Sequence, residues 1–190
     1  MIRNTLYRTL RRALGALLAS TLLLGCIPEE TAEAVELTPF FNLQAFVDAE
    51  VERLEANVPR ADKSITFNEE VESHEAMELD YEDELAVFRN ADINRPAWLE
   101  KYSIDSTRGG SRLQVEYVAL DTTLAVRSMR VIQEGEQVVR IEVESQTGTV
   151  LSDGRRFLRY EPATGYLIDS YQDRRFGGNL DTRIEVRFPE

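Results

Sequence analysis

The sequence predicts an α+β fold in which an N-terminal helix packs on one face of an antiparallel β-meander of about six to eight strands, with a short second helix. Two observations carry this prediction. Apolar residues recur at helical spacing from Phe40 to Leu54. From about residue 112 to the end, short runs alternate apolar and polar residues and are separated by turn signals at spacings of roughly ten residues.

The N-terminus has the layout of a secretory signal peptide. Four arginines and no acids precede an apolar run from Ala13 to Leu24. That run has 12 residues, whereas a bilayer-spanning helix needs ~20. It ends in Leu23, Leu24 and Gly25, directly before Cys26, the single cysteine of the chain. This ending resembles the lipobox of bacterial lipoproteins, which implies cleavage before Cys26 and acylation of its thiol.

The lipobox divides the chain into three parts: a signal peptide at 1–25, an acylated cysteine with an acidic tether at 26–37, and one α+β domain at 38–190. The whole chain has a net charge of −12, and without the leader it is −16. So acidic a chain is repelled by nucleic acid and by anionic lipid headgroups. We therefore expect no nucleic-acid partner, and membrane attachment through the lipid on Cys26.

The first helix is expected to begin at Thr38 and Pro39, as N-cap and first helical residue. Asn57 and Pro59 should end it. Its apolar stripe consists of Phe40, Leu43, Val47, Val51 and Leu54.

A β-hairpin is predicted between Asp62 and Met77, with its turn at 68–70. Asp80 is then the expected N-cap of the second helix, with Asp83 at its third position. The apolar side of that helix is formed by Tyr81, Leu85 and Phe88. The segment 92–96 breaks the helix, and 96–99 should form one more short helical turn.

Residues 106–111 (STRGGS) are expected to form a flexible joint before the meander. The clearest strand patterns after it are centred on Val115, Ile141 and Val186. Turn signals between the strands lie at 134–135, 147–148, 153–154, 162–165 and 177–179. Such a sheet has one polar and one apolar face, and the first helix is the natural cover for the apolar one.

An acidic stretch at 69–84 is the main candidate for a protein-binding surface. It holds nine acids and no Lys or Arg. The candidate docking face within it consists of Glu69, Glu70, Glu72, Glu75 and Glu78. A solvated acidic surface without a partner is the plainer interpretation. A calcium loop is disfavoured because the stretch has no glycine.

Enzyme signatures are missing from the sequence. His74 and Glu78 have the spacing of a helical zinc motif, but on a strand four residues span about 13 Å, too far for one metal ion. His74 is also the single histidine, and neither a phosphate loop nor a nucleophile elbow is present. We therefore expect a non-enzymatic protein without metal or cofactor.

Aromatic residues that could form either core or an apolar pocket are Tyr117, Phe157, Tyr160, Tyr166, Tyr171 and Phe188.

Three stretches together resemble a family of uncharacterised outer-membrane lipoproteins from Bacteroidota-type bacteria. They are Phe40–Leu43 leading into Val51–Leu54, Tyr81–Leu85 with Phe88, and the segment Asp92–Trp98 (DINRPAW). With the lipobox, the resemblance covers most of the chain. It implies attachment at the outer membrane of the bacterial envelope and no particular activity.

The leading functional hypothesis is a membrane-anchored binding or assembly module that has a protein partner in the envelope. The alternative is a carrier that holds a lipid or another hydrophobic ligand between helix and sheet, which needs a cavity of roughly 300 Å³. A third hypothesis, an envelope hydrolase, needs acids that converge in one cleft.

Overall fold

The structure, a computed structural model, describes residues 40–189. The predicted signal peptide, the lipobox at Leu23, Leu24 and Gly25, the acylation site Cys26 and the tether lie outside the described residues. The described residues all belong to the predicted α+β domain.

The first helix, α1, spans Leu43–Asn57 and begins later than predicted. Asn42, not Thr38, is its N-cap, because the Asn42 side chain accepts a hydrogen bond from the backbone N–H of Ala45 at 2.9 Å. The two preceding residues are tied to other parts of the domain. The N–H of Phe40 donates to Asn94 Oδ1 and that of Phe41 to the Tyr117 hydroxyl. The predicted end at Asn57 is confirmed.

The second helix, α2, spans Tyr81–Arg89 and confirms its predicted cap. The Asp80 side chain accepts a hydrogen bond from the N–H of Asp83 at 3.2 Å. Its predicted apolar side is buried in the core. A 3₁₀ turn at Pro96–Trp98 follows, as expected. In the described part of the chain, neither helix has the length and apolarity needed to cross a membrane.

In the part of the chain that the structure describes, nine strands form one antiparallel sheet in the order β2-β1-β9-β8-β7-β6-β5-β4-β3. They are β1 (Arg60–Phe67), β2 (Glu70–Glu78), β3 (Tyr102–Gly109), β4 (Arg112–Ala119), β5 (Val126–Glu134), β6 (Gln137–Gly148), β7 (Ser152–Glu161), β8 (Gly165–Arg174) and β9 (Leu180–Arg187). The predicted α+β fold with an antiparallel meander is confirmed. The meander β3–β9 has seven strands, and the hairpin β1–β2 extends the same sheet at β9.

The expected flexible joint at 106–111 is a strand and a tight turn instead. Residues up to Gly109 belong to β3 and pair in register with β4. Gly110 turns the chain with a φ of 64°, a conformation that glycine adopts without strain. The Gly-Gly pair therefore marks a hairpin connection between two regular strands.

The core lies between the helices and one face of the sheet. The strand register aligns one apolar row across seven strands: Tyr117, Met129, Val143, Leu158, Ile168, Ile184 and Ile65. Leu43, Leu54, Leu85 and Phe88 of the two helices belong to the same core cluster. The opposite face carries Arg and Glu. There Arg130 donates to Glu116 and Glu142 on the two neighbouring strands, at 2.8 and 2.9 Å.

Candidate functional site

The predicted docking face lies on strand β2, which ends the sheet on one side. All nine residues of β2 are exposed, and among the described residues 40–189 the strand pairs only with β1. An edge strand of this kind directs half of its backbone N–H and C=O groups away from the sheet, where they can pair with another extended chain. The site is therefore a row of backbone groups with acidic side chains along it.

The register shows how the five glutamates of the docking face are arranged. Glu70 and Glu72 lie opposite Phe67 and Ile65 and so share the helix-covered face of the sheet. Glu78 lies opposite Arg60, and Glu69 is in the turn between the strands. The five carboxylates follow one edge of the sheet, but they do not form a single flat face.

A β-bulge interrupts the edge at the fourth predicted position. Glu75 and Ala76 together oppose Asp62, and Ala76 has a φ of 48°. The carboxylate of Asp62 holds the bulge by accepting a hydrogen bond from the N–H of Ala76 at 2.9 Å. The regular part of the open edge is therefore the segment 70–74.

His74 lies on β2, as the strand assignment predicted. Its Nε2 is 2.8 Å from Glu72 Oε1, and both side chains are largely exposed. Within residues 40–189, no three His, Cys, Asp or Glu side chains are grouped so that they could hold a metal ion. The geometry gives His74 the role of a surface hydrogen-bond partner.

Under α1 lies the first of two polar clusters that the sequence pattern does not reveal. The Tyr160 hydroxyl donates to Glu50 Oε2 at 2.6 Å, and Arg53 donates to the same carboxylate at 2.7 Å. Arg53 also donates to the carbonyl of Pro162 at 3.0 Å. Burial raises the pKa of Tyr160, and its hydrogen bond to Glu50 raises it further. The cluster ties α1 to β7 and to the β7–β8 connection.

The second cluster lies under α2. Glu84 accepts hydrogen bonds from Lys63 of β1 and from the Tyr166 hydroxyl of β8, the latter at 2.7 Å. Burial raises the pKa of Tyr166, and the hydrogen bond to Glu84 adds to that effect. Since Glu84 is held by a cation and a phenol at once, this geometry stabilises the helix position. No periodicity in the sequence could have paired residues 63, 84 and 166.

The gap between the helices and the sheet bears on the carrier hypothesis. Its lining includes Leu43 and Phe46 of α1, Phe88 of α2 and Tyr160 of β7, and it is too narrow to hold a water molecule. Of the aromatic residues that could form core or pocket, Tyr117, Tyr160 and Tyr166 are buried in the core. Phe188 packs edge-on against Tyr160 and Tyr166. Phe157 and Tyr171 are half-buried.

A polar recess of about 260 Å³ lies on the helix-facing side of the sheet, near the ends of β6–β9. Polar residues that line it include Ser145, Thr147, Arg156, Ser170, Gln172 and Thr182. Arg156 Nε donates to Ser170 Oγ at 3.1 Å across the floor of the recess. The recess suits a small polar group, and its hydroxyl lining is unlike an acyl-chain pocket.

Comparisons with family models, with curated proteins and with solved structures find no match to this chain. The resemblance to outer-membrane lipoproteins therefore stays a prediction from the sequence.

Proposed function

We propose that this chain is a lipid-anchored lipoprotein of the bacterial outer membrane that acts as a non-enzymatic binding or assembly module. The location at the membrane is supported by the signal-peptide layout of the N-terminus and by the run Leu23-Leu24-Gly25 before Cys26. The acyl chains on Cys26 then hold the domain at the membrane. The partner is a protein of the envelope.

The single observation that carries the binding function is the open edge at β2. The nine residues of β2 are exposed, and no other described strand pairs with their outer edge. Such an edge is a template for β-strand addition, in which a partner segment extends the sheet by one strand. The regular segment 70–74 offers the backbone groups, and the bulge at Ala76 limits how far the added strand can run.

Charge determines which strand can be added. The stretch 69–84 carries nine acids and no Lys or Arg. A second copy of β2 would place like charges opposite each other, which destabilises strand pairing. A strand with alternating basic residues would instead meet Glu70 and Glu72 with opposite charges. The partner that fits this edge is therefore an extended basic segment.

The carrier of a hydrophobic ligand is the second candidate, and the packing between helices and sheet disfavours it. Such a ligand needs a cavity of roughly 300 Å³. The gap between α1, α2 and the sheet is filled by side chains such as Leu43 and Phe88 and leaves no room for a water molecule.

A peptide-binding experiment tests the docking edge. Full-length protein in detergent is titrated against a fluorescent peptide of alternating lysine and valine, and binding is followed by fluorescence anisotropy. We expect the double variant Glu70→Lys, Glu72→Lys to weaken binding at least about tenfold. The matched control carries the same charge change at two exposed positions off β2, Glu100→Lys and Glu136→Lys, and should bind like the parent.

Two results would contradict strand addition at β2. One is equal binding of the lysine peptide and of a peptide of alternating glutamate and valine. The other is equal loss of binding in the Glu70, Glu72 variant and in its control.

Lipid attachment is tested separately by metabolic labelling with palmitate. The label should enter the parent chain and be lost in Cys26→Ser, and labelling of both proteins would reject Cys26 as the acylation site.

A further inference from the structure

Exposed apolar side chains are concentrated at one end of the sheet. Because the strands are antiparallel neighbours in register, the β1–β2, β4–β5, β6–β7 and β8–β9 connections all lie at this end. Six of the ten large apolar side chains that are exposed among the described residues lie in or beside these connections. Two of the six, Phe67 and Val71, lie beside the acidic turn at Glu69 and Glu70, at the start of the docking edge. We call the other four the apolar rim: Leu120, Val150, Leu151 and Phe176.

The rim residues are exposed to an extent that is uncommon for apolar side chains. Val150 is 86% exposed, Phe176 75% and Leu151 61%. Single exposed apolar residues are normal on protein surfaces, but several at one end mark a surface that contacts a protein or a membrane.

Backbone hydrogen bonds hold the loops of the rim together. The N–H of Arg175 donates to the carbonyl of Leu151 at 2.9 Å, which joins the β8–β9 and β6–β7 connections. The N–H of Asn68 donates to the carbonyl of Asp181 at 2.7 Å, and Asn68 Oδ1 accepts from the N–H of Asp181 at 3.1 Å. The β6–β7 and β8–β9 connections therefore present Val150, Leu151 and Phe176 from a tied framework, which lowers the entropy cost of binding.

The chain also enters the domain near this end. Phe40 packs edge-on against Tyr102 and Tyr117. Tyr102 is the first residue of β3 and pairs with Ala119, which directly precedes the rim residue Leu120. Thirteen residues separate Cys26 from Phe40, a stretch that spans about 45 Å at most. If Cys26 is acylated, as proposed above, the rim is within reach of the bilayer.

The charges beside the rim are compatible with a lipid surface. Four arginines lie in or beside the halves of β7 and β8 that are nearer the rim: Arg155, Arg156, Arg174 and Arg175. Within residues 40–189, none of the four is within ion-pair distance of a carboxylate. Two aspartates, Asp153 and Asp173, accompany them, and the acids of the β1–β2 turn, Glu69 and Glu70, lie further back at the same end of the sheet. In a chain of net charge −12, a local excess of arginine can contact lipid phosphates.

We propose that the apolar rim inserts into the surface of the lipid bilayer that anchors the chain. Val150, Leu151 and Phe176 enter the boundary between headgroups and acyl chains, and the neighbouring arginines lie at the level of the phosphates. The sheet end that carries the rim then faces the membrane. The edge strand β2 starts further back, because the register aligns Glu70 with Ser145, five residues before Val150. From there β2 extends away from the membrane with its open backbone groups free for a partner.

Site-specific fluorescence tests this orientation. The variants Val150→Cys and Met77→Cys, which place a thiol at opposite ends of the sheet, are labelled with a nitrobenzoxadiazole dye and reconstituted as full chains into phosphatidylcholine vesicles. A fraction of the lipid carries a nitroxide on its acyl chain and quenches dyes that enter the bilayer. We expect quenching at position 150 to exceed that at position 77 at least about threefold. Adding Leu151→Asp and Phe176→Asp to the Val150→Cys variant should abolish that excess.

Equal quenching at the two positions, or quenching at position 150 that the two aspartates leave unchanged, would overturn the proposal. Failure of the lipid anchor gives a different result. The parent chain has a single cysteine, Cys26, and without acylation its free thiol reacts with the dye, so that the parent itself becomes labelled. Melting of each variant, followed by circular dichroism, shows that the exposed substitutions leave the fold intact, as expected for surface positions.

Discussion

Gly165 opens β8 at a point where the backbone of β9 passes very close. Its φ is 137°, and a Cβ added there would lie 1.9 Å from the carbonyl oxygen of Val186. We expect Gly165→Ala to lower the free energy of unfolding by roughly 3 kcal/mol or more, because strand β9 must move. Gly110→Ala is the control: its φ is also positive, at 64°, but nothing lies within 4 Å. The Gly110→Ala change should lower the free energy of unfolding, measured with urea, by only about 1 kcal/mol.

Tyr102 makes stability depend on pH in the alkaline range. Its hydroxyl is buried and donates to the carbonyl of Val126 at 3.0 Å, and burial raises the pKa of Tyr102 to about 12. Up to about pH 9 the phenol is neutral in both states, so its stabilisation is complete. Above that pH the unfolded chain loses the proton first, and folding becomes less favourable.

The variant Tyr102→Phe isolates this effect, because the other buried tyrosines are unchanged. Near neutral pH it should be about 1 kcal/mol less stable than the parent, from the lost hydrogen bond. The difference between the two free energies of unfolding, measured with urea, should shrink as the pH rises from about 9 towards about 12. A difference that stays constant over this range would show that Tyr102 titrates normally.

At the scale of single elements, the start of α1 shows where local sequence signals compete. Thr38-Pro39 and Asn42 can both begin a helix, and Asn42 is the cap, since Phe40 and Phe41 are held by Asn94 and Tyr117. We expect Asn42→Ala to cost about 1 kcal/mol of stability. Thr38→Ala, the change at the predicted cap, should leave the urea midpoint unchanged, and a loss there would assign the cap to Thr38.

Elements whose signals are local could be predicted well. The hairpin turn at Asn68, the cap at Asp80 and the alternating strands of the meander follow from residues near one another in sequence. The segment 106–111 was wrongly assigned because two glycines indicate a loop, whereas only Gly110 turns the chain. The cluster of Lys63, Glu84 and Tyr166 depends on contacts between distant residues, and sequence patterns do not contain them.

For the whole molecule, the strand order decides what the predicted docking residues can do. The acidic stretch was visible in the sequence, but its place at the edge depends on β1 pairing with β9. The same order brings four connections to one end and so assembles the apolar rim from residues as distant as Leu120 and Phe176. Both surfaces are products of topology, which is why the run of acids in the sequence could suggest the first, whereas no sequence pattern indicates the second.

The packing of the whole domain also predicts what native mass spectrometry will find. The carrier hypothesis requires a hydrophobic ligand under α1, whereas Leu43 and Leu54 are fully buried there and the gap beside Leu43 excludes even water. We expect the full chain, released from detergent in the spectrometer, to carry only its covalent acyl mass. Val51→Trp should then lower stability by about 1–3 kcal/mol through overpacking without changing the measured mass. A further non-covalent mass of a few hundred daltons that disappears in Val51→Trp would instead show that helix and sheet part to hold a ligand, and would make the chain a carrier.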